Sequence, residues 1–277
     1  MSDDGGVVSK GPLAPLGTLI VLRRYPAVGA ATPVVRHYWV AEYALPAGVG
    51  RDVPILVYPA CNLVVEGDRS RLYAPNPELT VQHLDGDGFA FGVLLQVATG
   101  FRVAARPLEE FLGDSIDLEQ EPVTAAVRAI MMGPGEAEVR HPRAIAAFES
   151  WLGERVPSLS ADDLLINAVA AAVESDPDLI RVDELAARFG LSTRRLERLV
   201  ARYVGLTPKW LIRRRRLQDA AHRLQDAPGT ELSRLAAELG YADYPHFSRD
   251  FAAVVGRTPR EFADAAGSAA TDPRAPG

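Results

Sequence analysis

The sequence predicts an α+β chain, with a β-rich, barrel- or sandwich-like N-terminal domain followed by an all-α tandem helix-turn-helix domain. Three observations carry that expectation. Apolar runs of strand length, rich in Val, Tyr, Phe and Leu, end at residue 97 and are separated by Pro, Gly, Asn and Asp clusters. After Pro107 the apolar period turns helical. From residue 185 to 259 the chain repeats itself.

The expected strands are "RHYWVAEYAL" (36–45), "PILVYP" (54–59), "NLVVEG" (62–67) and "FAFGVLLQV" (89–97). "PLEEFLG" (107–113) is a short amphipathic turn with Pro first and Gly last, and "PRAIAAFESWLGERV" (142–156) continues in helical period. In "SADDLLINAVAAAVESDP" (160–177), Ser160 and Asp163 stand in capping-box spacing and Asp176-Pro177 stops the helix. Its apolar residues fall on more than one face, which suits packing against the β part or a second chain. The expected organisation is a sensing or dimerising domain (1–125), a helical linker (126–176), the tandem domain (177–263) and a tail (264–277) without apolar period, expected to be disordered.

Charge divides along the same line. The net charge of -6 conceals +5 between Asp178 and Ala263, where 16 Lys and Arg face 11 Asp and Glu, and -11 elsewhere. A basic module joined to an acidic one fits a protein with one polyanion-binding end. A single cysteine, Cys61, forms no intramolecular disulfide, and the acidic start "MSDDGG" is unlike a secretory signal. The apolar run "LLINAVAAAV" (164–173) is about half a bilayer span and is interrupted by Asn167. These features lead to a cytoplasmic chain without a membrane partner.

In the repeat, "LAARFGLS" (185–192) recurs as "LAAELGYAD" (235–243), and "GLTP" (205–208) as "GRTP" (256–259), with one extra residue after the glycine of the second copy. Each copy reads as helix, glycine turn, helix. In the first, Asp183 is the expected cap, Ala186 is small enough for a close crossing, and Gly190 supplies a left-handed turn. Ser192 caps the next helix, whose apolar stripe is Leu196, Leu199, Val200 and Tyr203, with Arg194 and Arg198 opposite and Arg195 and Arg202 flanking. In the second, Asp243 is the cap and Phe247, Phe251 and Val254 the stripe.

Between the copies, Thr207 caps a helix expected from Pro208 to Asp226, about 28 Å long and close to the ~34 Å between successive major-groove faces. It contains four consecutive arginines, 213 to 216. At 100° per residue these spread around the helix, so the run reads as scaffold with one or two phosphate contacts. Arg215 and Asp219 form an expected surface pair, and Trp210, Leu217, Ala221 and Leu224 an expected buried stripe.

Over residues 178–263, "LA..FGLS.R.LER", "RL..A...L", "LA.ELGYAD..HFSRDF" and "G.TP.EF" stand in the order and spacing of the AraC/XylS-type transcriptional regulators, which the chain resembles. The resemblance implies two helix-turn-helix units inserting into adjacent major grooves of double-stranded promoter DNA. It implies base-facing positions at Arg194, Arg195, Glu197 and Arg198 in the first unit and at Pro245, His246, Ser248 and Arg249 in the second. Pro245 departs from the pattern by having no side-chain donor. RNA polymerase, a small-molecule effector and a homodimer partner are further candidates; no cofactor is implied.

The first 120 residues are more distantly similar to the β-rich domain of unassigned function that precedes this module in some such regulators, through "HYWVAEYALP", "YPACNLVVEG" and "GFAFGVLLQVATGF". An enzyme is not expected. His37 and His83 belong to no metal-ligand cluster, and no nucleophile triad, nucleotide loop or paired-carboxylate site stands out. The alternative is a small catalytic, thiol-sensing or protein-binding N-terminal module localised by the DNA-binding end, with Cys61 either a buried structural residue or the sensing thiol.

Overall fold

The computed structural model describes residues 19–55 and 58–271, with side chains to residue 268. The chain runs through β1 (Ile20–Pro26), β2 (Val35–Ala44), β3 (Arg51–Ile55), β4 (Asn62–Glu66), β5 (Ser70–Tyr73), β6 (Thr80–Leu84) and β7 (Asp87–Leu95). Then come α1 (Val97–Ala104), a 3-10 turn (Leu108–Phe111), β8 (Ser115–Asp117), α2 (Pro122–Met132), α3 (Ala137–Arg155) and α4 (Ala161–Ser175). Helices α5 (Val182–Arg188), α6 (Thr193–Val204), α7 (Pro208–Asp226), α8 (Leu232–Glu238), α9 (Tyr244–Val255) and α10 (Pro259–Thr271) complete it. Among the described residues, no helix is long and apolar enough to cross a membrane.

Six strands form an antiparallel sheet in the order β1-β2-β7-β4-β5-β8, and β3 pairs with β6 as a separate ribbon. Alternation gives the sheet two different faces. Tyr38 and Val40 of β2, Leu63 and Val65 of β4, and Phe91 and Val93 of β7 pack with Phe148 and Trp151 of α3 in a dense core. His37, Trp39, Ala41 and Tyr43 of β2, with Ala90 and Leu94 of β7, instead line a cavity of about 280 Å³ reaching Val53, Ile55 and Leu84 of the ribbon.

The cavity exists because the sheet residues below it are small. Trp39 pairs with Gly92, Ala41 with Ala90 and Tyr43 with Gly88. The Trp39 indole lies across Gly92 and the Tyr43 phenol across Gly88, each where a Cβ would stand.

Several elements differ from the sequence reading. The expected strand 54–59 is β3, displaced toward the N-terminus, and its residues 56–57 lie outside the described residues, as does the "MSDDGG" start. Strands β1, β5, β6 and β8 and helices α1 and α2 were not anticipated. β5 and β8 are four and three residues long, too short for a period to register. The tail expected to be disordered is helical as far as Thr271, since "ADAAGSAAT" is dominated by the strongest helix former; residues 272–277 lie outside the described residues.

Helix α4 joins the β-rich part to the helices that follow. Its capping box is present: Asp163 N–H donates to Ser160 Oγ at 3.2 Å, and Ser160 N–H to Asp163 Oδ2 at 2.8 Å. The same carboxylate accepts from Ser160 Oγ (2.8 Å), from Arg102 of α1 (2.5 Å) and from the Tyr203 hydroxyl of α6 (2.8 Å). Asn167 adds a second tie, accepting from Ala98 N–H at the start of α1 and donating to the Pro33 carbonyl. One apolar cluster accordingly runs from Ala60, Leu94 and Val97 through Ile166 and Val169 to Leu196 and Val200. Helices α8 to α10 build a separate core on Leu217, Phe247 and Phe251.

Burial acts to raise the Asp163 carboxyl, but the hydrogen bonds from Arg102, Ser160 and Tyr203 together outweigh it and hold the group at about 2. Its folded pKa lies below the ordinary 3.8, so the stabilisation is complete above about pH 4 and is lost as pH falls toward 2. It amounts to about 2 kcal/mol. Asp163→Asn should lower stability at neutral pH and flatten this acid limb in urea melts followed by circular dichroism; an unchanged acid limb would show that other carboxylates carry it.

Candidate nucleic-acid interface

The two helix-turn-helix units are built by the same local chemistry. In the first, Gly190 takes φ +64°, and the N–H groups of Gly190 and Leu191 donate to the Ala187 and Ala186 carbonyls at 3.0 and 2.9 Å. In the second, Gly240 takes φ +72°, and Gly240 and Tyr241 bond to Ala237 and Ala236, both at 2.9 Å. A left-handed glycine thus satisfies the last carbonyls of α5 and of α8 and turns the chain. Ser192 Oγ accepts from Arg195 N–H and Asp243 Oδ1 from His246 N–H, starting α6 and α9, and the left-handed Gly205 and Gly256 end them. The extra residue of the second copy, Ala242, lengthens the turn without altering this pattern.

One expected cap is not a cap. Helix α5 begins at Val182, so Asp183 lies within its first turn. There its carboxylate accepts from Arg181, at 2.6 and 3.0 Å, and from Glu184 N–H. An anion in the first turn favours the helix dipole without capping it.

The stripes of α6 and α9 are buried as expected, and Arg194, Arg195, Glu197 and Arg198 are all exposed. They do not share one environment. Arg195 turns toward Asp162 of α4, 3.9 Å away. Arg198 lines a groove together with Arg202 of the same helix and with Arg102, Arg106 and Glu109. In α9, Pro245, His246 and Arg249 are exposed and Ser248 is half-buried. His246 packs edge-on against Tyr241, and Arg249 Nε donates to the Pro245 carbonyl at 3.3 Å.

Arg102 and Arg106 were missed as neighbours of this surface. They lie far from α6 in sequence, and no local pattern places them there. The contact is made where the 3-10 turn closes on the end of α6; a Cβ at Gly205 would come within 2.8 Å of Glu109 N.

The four-arginine run has largely been taken into the fold. Helix α7 spans Pro208–Asp226 as expected, capped by Thr207 Oγ1 on Trp210 N–H. Arg215 is not a surface residue: 4% exposed, it bonds Asp219 at 2.8 Å and donates to the carbonyls of Pro177 and Leu179. The correction has a geometric cause. Its side of α7 meets the segment joining α4 to α5, whose carbonyls need donors. Arg214, also buried, bonds Gln218 and lies over the Tyr58 ring at 5.3 Å. Burial pushes its guanidinium down to about 10, with Glu174 opposing the shift. Arg216 lies over Tyr241 at 4.3 Å. Arg213 is partly exposed, with Asp250 3.8 Å away.

Two units with matching glycine turns on a shared 19-residue helix can be set beside known proteins. Residues 185–265 match the family model described as "Helix-turn-helix domain". The chain therefore carries a helix-turn-helix domain over these residues. Within the transcriptional activator RhaS of Escherichia fergusonii, 101 residues align at 34% identity, covering 36% of each chain. For RhaS of Pectobacterium carotovorum the figures are 33% over 78 residues, 28% of each. The chain thus spans about a third of the length of the curated relatives it matches. A solved AraC-type DNA-binding domain protein from Chromobacterium violaceum is 27% identical over 36% of this chain and 89% of its own, with a TM-score of 0.33.

The helix-turn-helix domain therefore has Arg214 and Arg215 inside and Arg194, Glu197 and Arg198 outside. Removing the buried Arg215 guanidinium takes one partner from Asp219 and the shared donor from the Pro177 and Leu179 carbonyls, at a cost of about 3 kcal/mol. Arg215→Ala should lower the urea midpoint markedly, whereas Arg213→Ala should leave it nearly unchanged; equal effects would contradict this placement of α7.

Proposed function

We propose that this chain is a cytoplasmic, sequence-specific transcriptional regulator that places α6 and α9 in adjacent major grooves of promoter DNA, under control of its β-rich part. The observation that carries the reading is the repeated unit itself: two capped helices with exposed polar faces, held by matching glycine turns on the ends of α7. At 1.5 Å per residue α7 is about 28 Å long, near the ~34 Å between successive groove faces. The base-reading candidates are Arg194, Arg195, Glu197 and Arg198, with Pro245, His246, Ser248 and Arg249 in the second unit. Arg194, Glu197 and Arg198 are the better placed for bases, and Arg195 for phosphate, since it leans toward Asp162.

Control through the cavity is favoured by one residue that belongs to both parts. Tyr58 lines the cavity, and its ring lies beneath Arg36 of β2 and Arg214 of α7. Arg36 in turn pairs with Glu174 of α4. A small molecule that moves Tyr58 therefore acts directly on the helix carrying both reading units. RNA polymerase and a second copy of the chain are further candidate partners.

A thiol-sensing module fits less well. Cys61 is fully buried, and burial pushes its thiol up to about 12, so little thiolate is available for reaction.

The test is a pair of titrations of the full chain at one salt concentration, with a promoter site found by genome-wide mapping and with its scrambled duplex. Arg198→Ala should weaken promoter binding roughly tenfold to a hundredfold and leave the scrambled duplex little changed. Equal losses on both duplexes would make Arg198 a phosphate contact, and no loss on either would remove α6 as the reader.

A further inference from the structure

The cavity under the β3–β6 ribbon has a shape that specifies a class of ligand. Its floor is the stretch of β2 and β7 where Ala41 faces Ala90, between Trp39 on Gly92 and Tyr43 on Gly88. Small residues in the middle and rings folded flat at both ends give a low, even floor rather than a deep pit. Trp39 is fixed in that pose by its Nε1–H, which donates to Asn62 Oδ1 at 3.2 Å. The roof is the apolar side of the ribbon, Val53 and Ile55 of β3 and Leu84 of β6. Sheet and ribbon thus enclose a slot of about 280 Å³, walled mostly by aromatic rings and aliphatic side chains, with Arg24, His37, Glu66 and Gln82 also on its lining.

A cavity of about 150 Å³ with apolar walls accepts one benzene ring, so this one accommodates roughly two fused rings. Rings stack on rings in offset or edge-on geometry, a preference a sugar or a flexible chain does not exploit as fully. We propose that the slot binds a planar aromatic ligand of about two fused rings, held between the Trp39–Tyr43 floor and the ribbon. The proposal rests on the effector-controlled reading above and names the chemistry of the effector. The ring also comes to lie beside Tyr58 at the cavity wall, so the same stacking that binds it reaches the residue beneath Arg214.

The experiment uses the full chain without DNA and four probes: quinoline, 1-naphthol, decanoate and glucose. Tryptophan fluorescence and thermal melts are recorded for the wild type, Trp39→Phe and Ala90→Leu. Quinoline and 1-naphthol should raise the melting temperature and change the emission of the wild type, and the emission change should vanish in Trp39→Phe, which keeps Trp151 and Trp210. Ala90→Leu, which fills the middle of the floor, should weaken both by roughly tenfold or more. Ile55→Trp fills the slot from the ribbon side and provides the same measurement if Ala90→Leu does not fold.

Binding of decanoate or glucose in preference to the aromatic probes, with the same sensitivity to Ala90→Leu, would overturn the aromatic class and leave an effector cavity standing. Aromatic binding that is indifferent to Ala90→Leu and Ile55→Trp would place the site elsewhere and overturn the proposal. No binding by any probe at millimolar concentration would overturn both the ligand class and control through this cavity. Failure of the regulator reading would appear separately, as absence of specific DNA binding by the unliganded wild type.

Discussion

The buried carboxylate of Asp163 sets where α6 stands relative to everything before it. Burying an anion is costly, and this one is compensated by donors from three places: its own helix start at Ser160, Arg102 at the end of α1, and Tyr203 on the inner stripe of α6. A capping box alone would need only the first. The two additional bonds join a local helix signal to the tertiary arrangement, and the apolar cluster from Leu94 through Ile166 to Val200 forms around them. The first helix-turn-helix unit is therefore continuous with the β-rich part, while the second has its own core at the far end of α7, touched from the β-rich part by Leu79.

Basic charge in the helix-turn-helix domain is divided between holding the fold and facing solvent. Arg214 and Arg215 are buried, one over Tyr58 and one on the carbonyls of Pro177 and Leu179, and Arg216 covers Tyr241. The arginines of α6 face outward, and there the surface continues beyond the domain to Arg102 and Arg106. The excess of +5 is thus not the charge offered to a polyanion, because part of it is spent on internal acceptors.

The two faces of the sheet show how residue size separates stability from binding. On the face toward α3, Phe91, Phe148 and Trp151 fill the space between layers. On the other, Ala41, Ala90, Gly88 and Gly92 leave it open. Tyr58 stands where the open face ends, lining the cavity on one side and lying under the Arg214 guanidinium of α7 on the other.

Much of this was legible in the chain itself. Ser160 with Asp163, Ser192, Thr207 and Asp243 declared their helix starts, Gly190 and Gly240 their turns, and the stripes of α6, α7 and α9 their buried sides, because capping and amphipathic period are local and repeat within one or two turns. The repeat placed the two units and the length of the helix between them. The sequence by itself determined these elements and the residue types each presents. Only the tertiary structure decided that Arg215 is a buried donor, that Asp183 is not a cap, that Arg102 and Arg198 line one groove, and that Trp39 and Tyr43 fold onto the glycines of β7 to leave a slot. Those outcomes join residues far apart in the chain, through hydrogen-bond needs and packing volumes that no local period encodes.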